Sequence, residues 1–423
     1  MIEKKPVYYD SFHCIADQCH LTCCQEWKIA VDDATQEKWN TVKPPLDLMK
    51  EKGGQMIVHE TLSQYTTIKD EARVIKLDTE KKCPFLNRKK LCNLVIQYGD
   101  DILSETCAIF PRQMNTFVER DVKEYSLVAC CPAVIDLLKE QKKFDIMTDQ
   151  MTEMEKNHTT NISGRKKELH GYEAYEETLS EIRDHLIQIV QNPEVTVSEA
   201  MMSGFFMLLS LLETEEKERK KKASAEKISS TLGKVLEVYD TETETRKILS
   251  TIRQMKFETL DTFEERNELF LDLAENYRKE GIYEAWLNPI AERAEEISEG
   301  YDEEEMLKEL DAFEACFSNY DRLMRNYLAS EYFADLFLPE FQLEDMVVAM
   351  QWISMEYAAT KQACFLNWLI SDTKQIPYEK VRDIMVIIAR MMGYDDTDIR
   401  EYMENSFEET VWDWGYLALI CGR

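Results

Sequence analysis

Leu343-Glu-Asp-Met-Val-Val-Ala-Met-Gln-Trp352-Ile-Ser-Met-Glu-Tyr357-Ala-Ala-Thr-Lys-Gln-Ala-Cys364-Phe-Leu-Asn-Trp-Leu369 is the stretch that sets the fold class. Apolar residues return every three or four positions along it, and no glycine or proline interrupts it, so it reads as a helix with a buried face. The same spacing runs through residues 175–190, 197–212, 263–278, 285–297, 306–338 and 378–391, which predicts an α-helical array. Composition agrees. The chain has 423 residues with only 12 Gly and 10 Pro, and 44% are hydrophobic, enough for more than one core. Collagenous, low-complexity and wholly disordered classes are excluded, and an all-β design is disfavoured. No repeat of fixed period marks a solenoid.

Upstream of the array the character changes. Residues 145–170 are dominated by polar side chains and contain Gly164, and read as an exposed linker. The expected division is a cysteine-rich metal- or cluster-binding domain over 1–144, a linker over 145–170, and a helical substrate- or partner-binding region over 171–423. The fold class is therefore mainly α, with a small mixed α/β N-terminal domain ahead of a multi-helix array. Within the first part, 27–31 alternates like a short strand before a helix starting near Asp32, and 74–77 reads as a second strand. A turn flanked by short apolar segments at 83–92 suggests a hairpin, 124–129 a strand or short helix, and 132 to about 143 a helix.

Charge divides the chain at the same place. The total is 51 Lys+Arg against 81 Asp+Glu, net −30. Residues 1–150 are nearly balanced, so almost all of the excess falls in the helical part. Such a surface repels phosphates and no arginine-rich stripe compensates, which argues against nucleic acid and favours a lysine-bearing protein partner. The mixed run 213–222 reads as a solvated helix end. Residues 1–6 offer no apolar core of an export signal, and the longest apolar-rich run, 201–212, is too short to cross a bilayer. The expectation is a cytoplasmic protein without a transmembrane segment, compatible with peripheral membrane association or oligomerisation.

In a reducing compartment clustered cysteines point to metal or catalysis rather than disulfides. Nine of the twelve lie within the first 131 residues. The strings are Phe12-His-Cys14-Ile-Ala-Asp-Gln-Cys19-His-Leu-Thr-Cys23-Cys24-Gln-Glu-Trp27, Cys83-Pro-Phe-Leu-Asn-Arg-Lys-Lys-Leu-Cys92, Glu105-Thr-Cys107-Ala-Ile-Phe-Pro-Arg112 and Cys130-Cys131-Pro132. Soft thiolates suit zinc or an iron–sulfur cluster, and seven to nine thiols exceed one four-coordinate site. Either one site with spare cysteines or two sites fits. Cys316, Cys364 and Cys421 read as buried small hydrophobes. Several enzyme signatures are missing. Cys19 and Cys23 lack the third cysteine of a radical S-adenosylmethionine triplet, because position 26 is Glu26. No dinucleotide fingerprint, P-loop or zincin motif occurs.

Over residues 8–132 the combination of Phe12, Cys14, Cys19, Cys23-Cys24, Trp27, Cys83-Pro-Phe-Leu, Leu91-Cys92, Tyr98-Gly-Asp, Thr106-Cys107 and Phe110-Pro-Arg112 resembles the flagellin lysine-N-methylase (FliB-type) family. The Cys-Cys, Cys-Pro-Phe-Leu and Cys-x-x-Phe-Pro parts also resemble a wider group of small zinc- or iron-chelating proteins. The long helical C-terminal region and Cys130-Cys131-Pro132 favour the methylase. The resemblance implies methyl transfer from S-adenosylmethionine to lysine ε-amines of flagellin in the bacterial cytosol. It also implies a 4Fe-4S cluster, with zinc as the alternative, held by a subset of Cys14, Cys19, Cys23, Cys24, Cys83, Cys92 and Cys107; Cys130 and Cys131 are weaker candidates.

Physical chemistry bounds the mechanism. A lysine amine must lose its proton before it can attack a sulfonium methyl group, which calls for a base, a water-poor pocket, or both. Surface carboxylates attract lysine but raise its pKa, so attraction alone does not make it nucleophilic. Glu26, Tyr98 and Glu105, near ligand candidates, are the base candidates. Trp27 is a candidate to stack on the cofactor or pack over the cluster, and Arg112 to bind the cofactor carboxylate or form a structural ion pair. Two other classes compete: a non-catalytic zinc- or cluster-binding interaction protein, and a cluster-dependent redox protein.

Overall fold

The computed structural model describes residues 1–45, 48, 50–52, 55–57, 59–69, 72–150, 170–255, 257–393 and 396–422. The architecture is mainly α, with a small mixed α/β region preceding a multi-helix array, as the sequence predicts. Eight strands are present among these residues: β1 (Ile2–Pro6), β2 (Lys50–Lys52), β3 (Gln55–Ile57), β4 (Thr66–Lys69), β5 (Ala72–Ile75), β6 (Arg112–Phe117), β7 (Val122–Leu127) and β8 (Ile146–Gln150). They form one sheet of order β6-β7-β1-β8 and two ladders, β2-β3 and β4-β5. Strand β1 runs parallel to β7, with Ile2 opposite Val122, and antiparallel to β8, with Pro6 opposite Ile146.

Strand β8 occupies the first residues of the expected 145–170 linker. An edge strand with polar side chains carries little apolar signal, so it reads as a loop until a partner strand is seen. The remainder, 151–169, lies outside the described residues. Four short helices complete this half: α1 (Asp33–Trp39), α2 (Asn93–Tyr98), α3 (Glu105–Ile109) and α4 (Pro132–Glu140). Helix α1 starts as expected, because the Asp32 carboxylate accepts the Thr35 N–H at 2.8 Å. The hairpin expected at 83–92 is also present, closed by a bridge between Leu86 and Cys92.

Two hydrophobic cores follow, and their seam lies inside the cysteine-rich half. Ile29, Val31, Trp39, Leu62, Ile75, Phe85, Leu94 and Ile102 form a small separate core. Tyr8, Phe12, Phe117, Val122, Leu127, Val134 and Leu138 instead share one core with the helices. A sheet needs its apolar face covered, and here the helical array covers it. One buried ion pair crosses this contact: the Arg183 guanidinium, fully buried, holds the Glu124 carboxylate of β7.

The array comprises α5 (His170–Val190), α6 (Val197–Lys220), α7 (Ala225–Tyr239), α8 (Glu242–Gln254), α9 (Thr259–Glu280), α10 (Glu284–Glu299), α11 (Glu303–Phe317), α12 (Asp321–Asp335), α13 (Leu343–Ile370), α14 (Tyr378–Met391), α15 (Asp396–Phe407) and α16 (Trp414–Cys421). The apolar run 306–338 is two helices. The Ser318 hydroxyl donates to the Ala315 carbonyl and the Asn319 amide to the Cys316 carbonyl, side-chain bonds that satisfy the end of α11 and let the chain turn. Helices α7 and α8 escape a sequence reading because each buries only a narrow stripe, Ile228, Leu232 and Leu236 in one and Ile248 and Ile252 in the other.

Helix α6 is twice as long as its apolar run and reaches a length and composition that could cross a membrane. Here Met201, Phe205, Leu208 and Leu211 are buried in the protein core, and its charged last turns form ion pairs on the surface. Helix α13 is the spine. It is buried around its whole circumference, so Gln351, Glu356, Thr360, Lys361 and Gln362 are inside as well. Buried polar groups need partners or a purpose. Lys361 has one in Glu314, at 2.6 Å.

Candidate active site

The thiols are brought together by backbone pairing. The Cys83 N–H donates to the Cys24 carbonyl at 2.8 Å and the Glu26 N–H to the Lys81 carbonyl at 2.7 Å, which lays the end of the first cysteine string along the start of the second. At the hairpin tip the Asn87 side chain accepts the N–H groups of Lys89 and Leu91 and turns the chain back, placing Cys92 beside Leu86. Cys107 is in α3, where its N–H donates to the capping Ser104 hydroxyl at 3.3 Å. Cys24, Cys83, Cys92 and Cys107 thereby belong to the same small core, and Cys24 is within electrostatic range of the other three.

Burial pushes the Cys83, Cys92 and Cys107 thiols up, Cys107 to about 11. Cys24 moves the other way, to about 7, because the Cys23 thiol hydrogen-bonds to it and Thr22 and Arg390 add to the effect; Cys23 rises in exchange. Cys19 faces Cys14 and Cys131 instead. The nine cysteines thus fall into a group of four with Cys23 adjoining, and a looser set beside it. Among the described residues, no three His, Cys, Asp or Glu side chains stand in the arrangement that holds a single metal ion.

Arg390, near the end of α14, joins this region to the helices. Its buried guanidinium donates to the carbonyls of Leu21 at 2.9 Å, Thr22 at 3.3 Å and Cys130 at 3.0 Å. It also lies 5.1 Å above the Trp27 ring, which meets Phe110 edge-on at 4.9 Å. Trp27 is therefore packed between the arginine and Phe110. Glu26 accepts the Tyr283 N–H at 3.1 Å, a second tie to the array. The Tyr98 hydroxyl donates to the Lys43 carbonyl at 2.6 Å. Glu105 is exposed at the start of α3, its N–H bound to Asp32, whose carboxyl is held at about 2 by the Glu105 and Thr35 N–H groups. Arg112 donates weakly to the Phe12 carbonyl and lies 5.0 Å over the Phe12 ring. The structure does not gather these three base candidates at one point.

What the sequence reading missed is a cavity of about 560 Å³ with Cys130 in its wall. Its walls include Cys130, Glu331 and Asp335 of α12, Phe341, and Trp352 and Glu356 of α13. Burial raises the Glu356 carboxyl to about 7, against the opposing hydrogen bond from Tyr327, and burial with the neighbouring Glu356 raises Glu331 well above the usual range. Carboxyls kept neutral or poised near pH 7 in a partly enclosed cleft are the groups that accept and release protons in catalysis. The available signal was a glutamate on the buried side of a helix, in Ser-Met-Glu356-Tyr-Ala, and another in Ala-Ser-Glu331-Tyr-Phe.

The family model of the FliB lysine N-methylase C-terminal domain matches residues 183–420, a span containing Glu331, Glu356 and Arg390. The chain is 28% identical over 130 residues to the flagellar biosynthetic protein FliU of Salmonella muenchen, covering 31% of this chain and 72% of that protein. It is also 28% identical over 130 residues to the lysine-N-methylases of Salmonella typhimurium and Salmonella choleraesuis, where the aligned region spans 31% of this chain and only 30% of each relative. No solved structure matches the chain.

Proposed function

The chain belongs to the FliB lysine N-methylase family, and from that membership we propose that it is an S-adenosylmethionine-dependent protein-lysine N-methyltransferase whose substrate is flagellin. The observation that carries the reading is the family match over residues 183–420, more than half of the chain. The acidic excess of the helical region supports a lysine-rich protein substrate, since it favours encounter with cationic side chains. In the reaction the lysine amine lone pair forms a bond to the methyl carbon. The carbon–sulfur bond breaks and its electron pair stays on sulfur, giving S-adenosylhomocysteine. The ammonium proton goes to a base or to water.

A 4Fe-4S cluster fits the donor chemistry of Cys24, Cys83, Cys92 and Cys107, four soft thiols on one small core, better than zinc, the alternative, because no three of these side chains stand in the arrangement of a single ion's ligands. The Arg390 cation on the Cys23–Cys24 side offsets thiolate charge. Bound there, such a group would supply a coordination site for the cofactor's methionyl part, an electron, or mechanical support. The chain's own residues do the rest. Arg390 and the Glu26–Tyr283 bond hold the cysteine loop against the array, so thiols and cavity keep a fixed relation across Cys130. The cytoplasm, where flagellin lysines are available before export, is the compartment this reading requires.

The test uses protein purified without oxygen, incubated with S-adenosylmethionine and flagellin of the same organism, then intact-protein and peptide mass spectrometry. Methyl-sized increments on flagellin lysines, absent without the cofactor, are expected. Absence of any increment from fully metal-loaded protein would overturn the reading.

A further inference from the structure

We infer that the cavity between α12, α13 and Cys130 is the seat of the substrate lysine, with Glu331 as the residue that binds its ε-ammonium. The inference rests on the lysine-methylase reading for the identity of the cation, and on the cavity itself for the existence of a cation site.

Glu331 is 8% exposed, lines the cavity, and its Oε1 has no hydrogen-bond partner. The two other inner carboxylates are occupied: Glu356 accepts the Tyr327 hydroxyl, and Asp335 accepts the Gln113 amide at 2.9 Å. A buried carboxyl oxygen without a partner has lost its water and gained nothing in return, so its place at a cavity wall argues for a ligand that supplies donors. An ammonium has three donors and no acceptor, which suits a wall of acceptors.

The remaining surface suits the stem of the same side chain. Val348, Trp352 and Phe341 present an apolar wall, against which a four-carbon chain can bury while its charged end reaches the carboxylates. The Trp352 ring is fixed, its indole N–H bound to the Met392 carbonyl at 3.1 Å and its edge against Tyr402. An aromatic face beside an ammonium adds attraction that grows as methyl groups replace its hydrogens and water is excluded.

The other cation of the reaction, the sulfonium of S-adenosylmethionine, suits this wall less well. Its molecule carries a carboxylate that needs a cationic partner, and the arginine on the cavity wall, Arg400, is already paired with Asp345 and Glu344. The cavity takes a ligand that is positive at its inner end and apolar behind it. Cys130, which lines the cavity, has its carbonyl bound by Arg390, so the same arginine that ties down the cysteine loop also holds one wall of the lysine seat.

The experiment measures saturation-transfer NMR on the full metal-loaded chain with N-acetyl-lysine amide, with N-acetyl-norleucine amide as the uncharged isostere, and with S-adenosylmethionine as a separate arm. Expected is transfer to the lysine methylenes that falls at least fivefold for norleucine and at least fivefold in Glu331→Gln. Ala349→Leu, which narrows the cavity without touching its charges, should reduce it equally, and keeps the test decisive if the glutamine variant folds poorly. Equal transfer in wild type and both variants, or none in wild type, would overturn the inference. So would a loss in both variants confined to the S-adenosylmethionine arm, which would make this the donor's site. Flagellin methylation with an unchanged KM in Glu331→Gln would remove the inference and leave the methylase reading standing. Glu331-dependent lysine binding by a chain that methylates nothing would do the reverse.

Discussion

Replacing Glu356 by glutamine should make the protein more stable at pH 8 and nearly neutral at pH 5. In the folded protein burial raises this carboxyl to about 7, whereas the unfolded chain ionises it near the ordinary value of about 4.5. A group raised on folding contributes fully below the unfolded value, and that contribution is lost as pH rises through the folded value. For a shift of roughly 2.5 units the full loss is about 3 kcal/mol, of which some 2–3 kcal/mol falls between pH 5 and pH 8. Glutamine keeps an oxygen to accept the Tyr327 hydroxyl and carries no charge to desolvate, so the variant should lack this part of the pH dependence. Glu331, Asp335 and Cys130 face the same cavity and stay in place, and Glu331 still titrates through its own burial. The measurement is urea unfolding of wild type and Glu356→Gln at half-unit intervals from pH 5 to pH 8. Parallel curves for the two proteins would show that Glu356 is not held in a desolvated site, and the account of the cavity would fail with it.

Three further outcomes follow from the geometry. Cys24→Ser, Cys83→Ser, Cys92→Ser and Cys107→Ser should each lower bound iron or zinc in anaerobically purified protein, while Cys316→Ser should not; elemental analysis that ranks them otherwise would reassign the ligands. Arg390→Gln strips donors from three carbonyls at roughly 1–3 kcal/mol each, so the segment around Leu21 and Thr22 should become open to limited proteolysis while far-ultraviolet dichroism stays helical. Gly204→Ala should leave the melting temperature within a few degrees of wild type, because the helix-propensity gain of about 1 kcal/mol offsets the shift of two flexible side-chain ends, an added Cβ lying 2.8 Å from Leu186 Cδ2 and 3.3 Å from Met350 Cε where α6 packs on α5 and α13; a drop of more than about ten degrees would show that this contact cannot give.

The helical array was legible because periodicity needs no partner to be seen: an apolar stripe every three or four residues announces a face to be buried. The turns at Asp32 and at Asn87 were legible for a similar reason, since each depends on a side chain bonding to backbone a few residues away. Strands β1 and β8 were not, because pairing Ile2 with both Val122 and Gln150 joins segments more than a hundred residues apart. The division of the cysteines was hidden for the same cause. Spacing showed that many thiols could converge, and only the pairing of 24–26 with 81–83, the turn at Asn87 and the packing of α3 put Cys24, Cys83, Cys92 and Cys107 on one small core.

By itself, then, the sequence determined the helix class, the acidic surface and a set of clustered thiols, all of which follow from local pattern and composition. The tertiary structure decided which thiols share a core, that Arg390 clamps the backbone of Leu21, Thr22 and Cys130, and that Glu331 and Glu356 line a cavity. Those depend on α12 meeting α13 and on α14 reaching back over residues 21 and 22, contacts whose free energy exists only once distant segments have excluded water together.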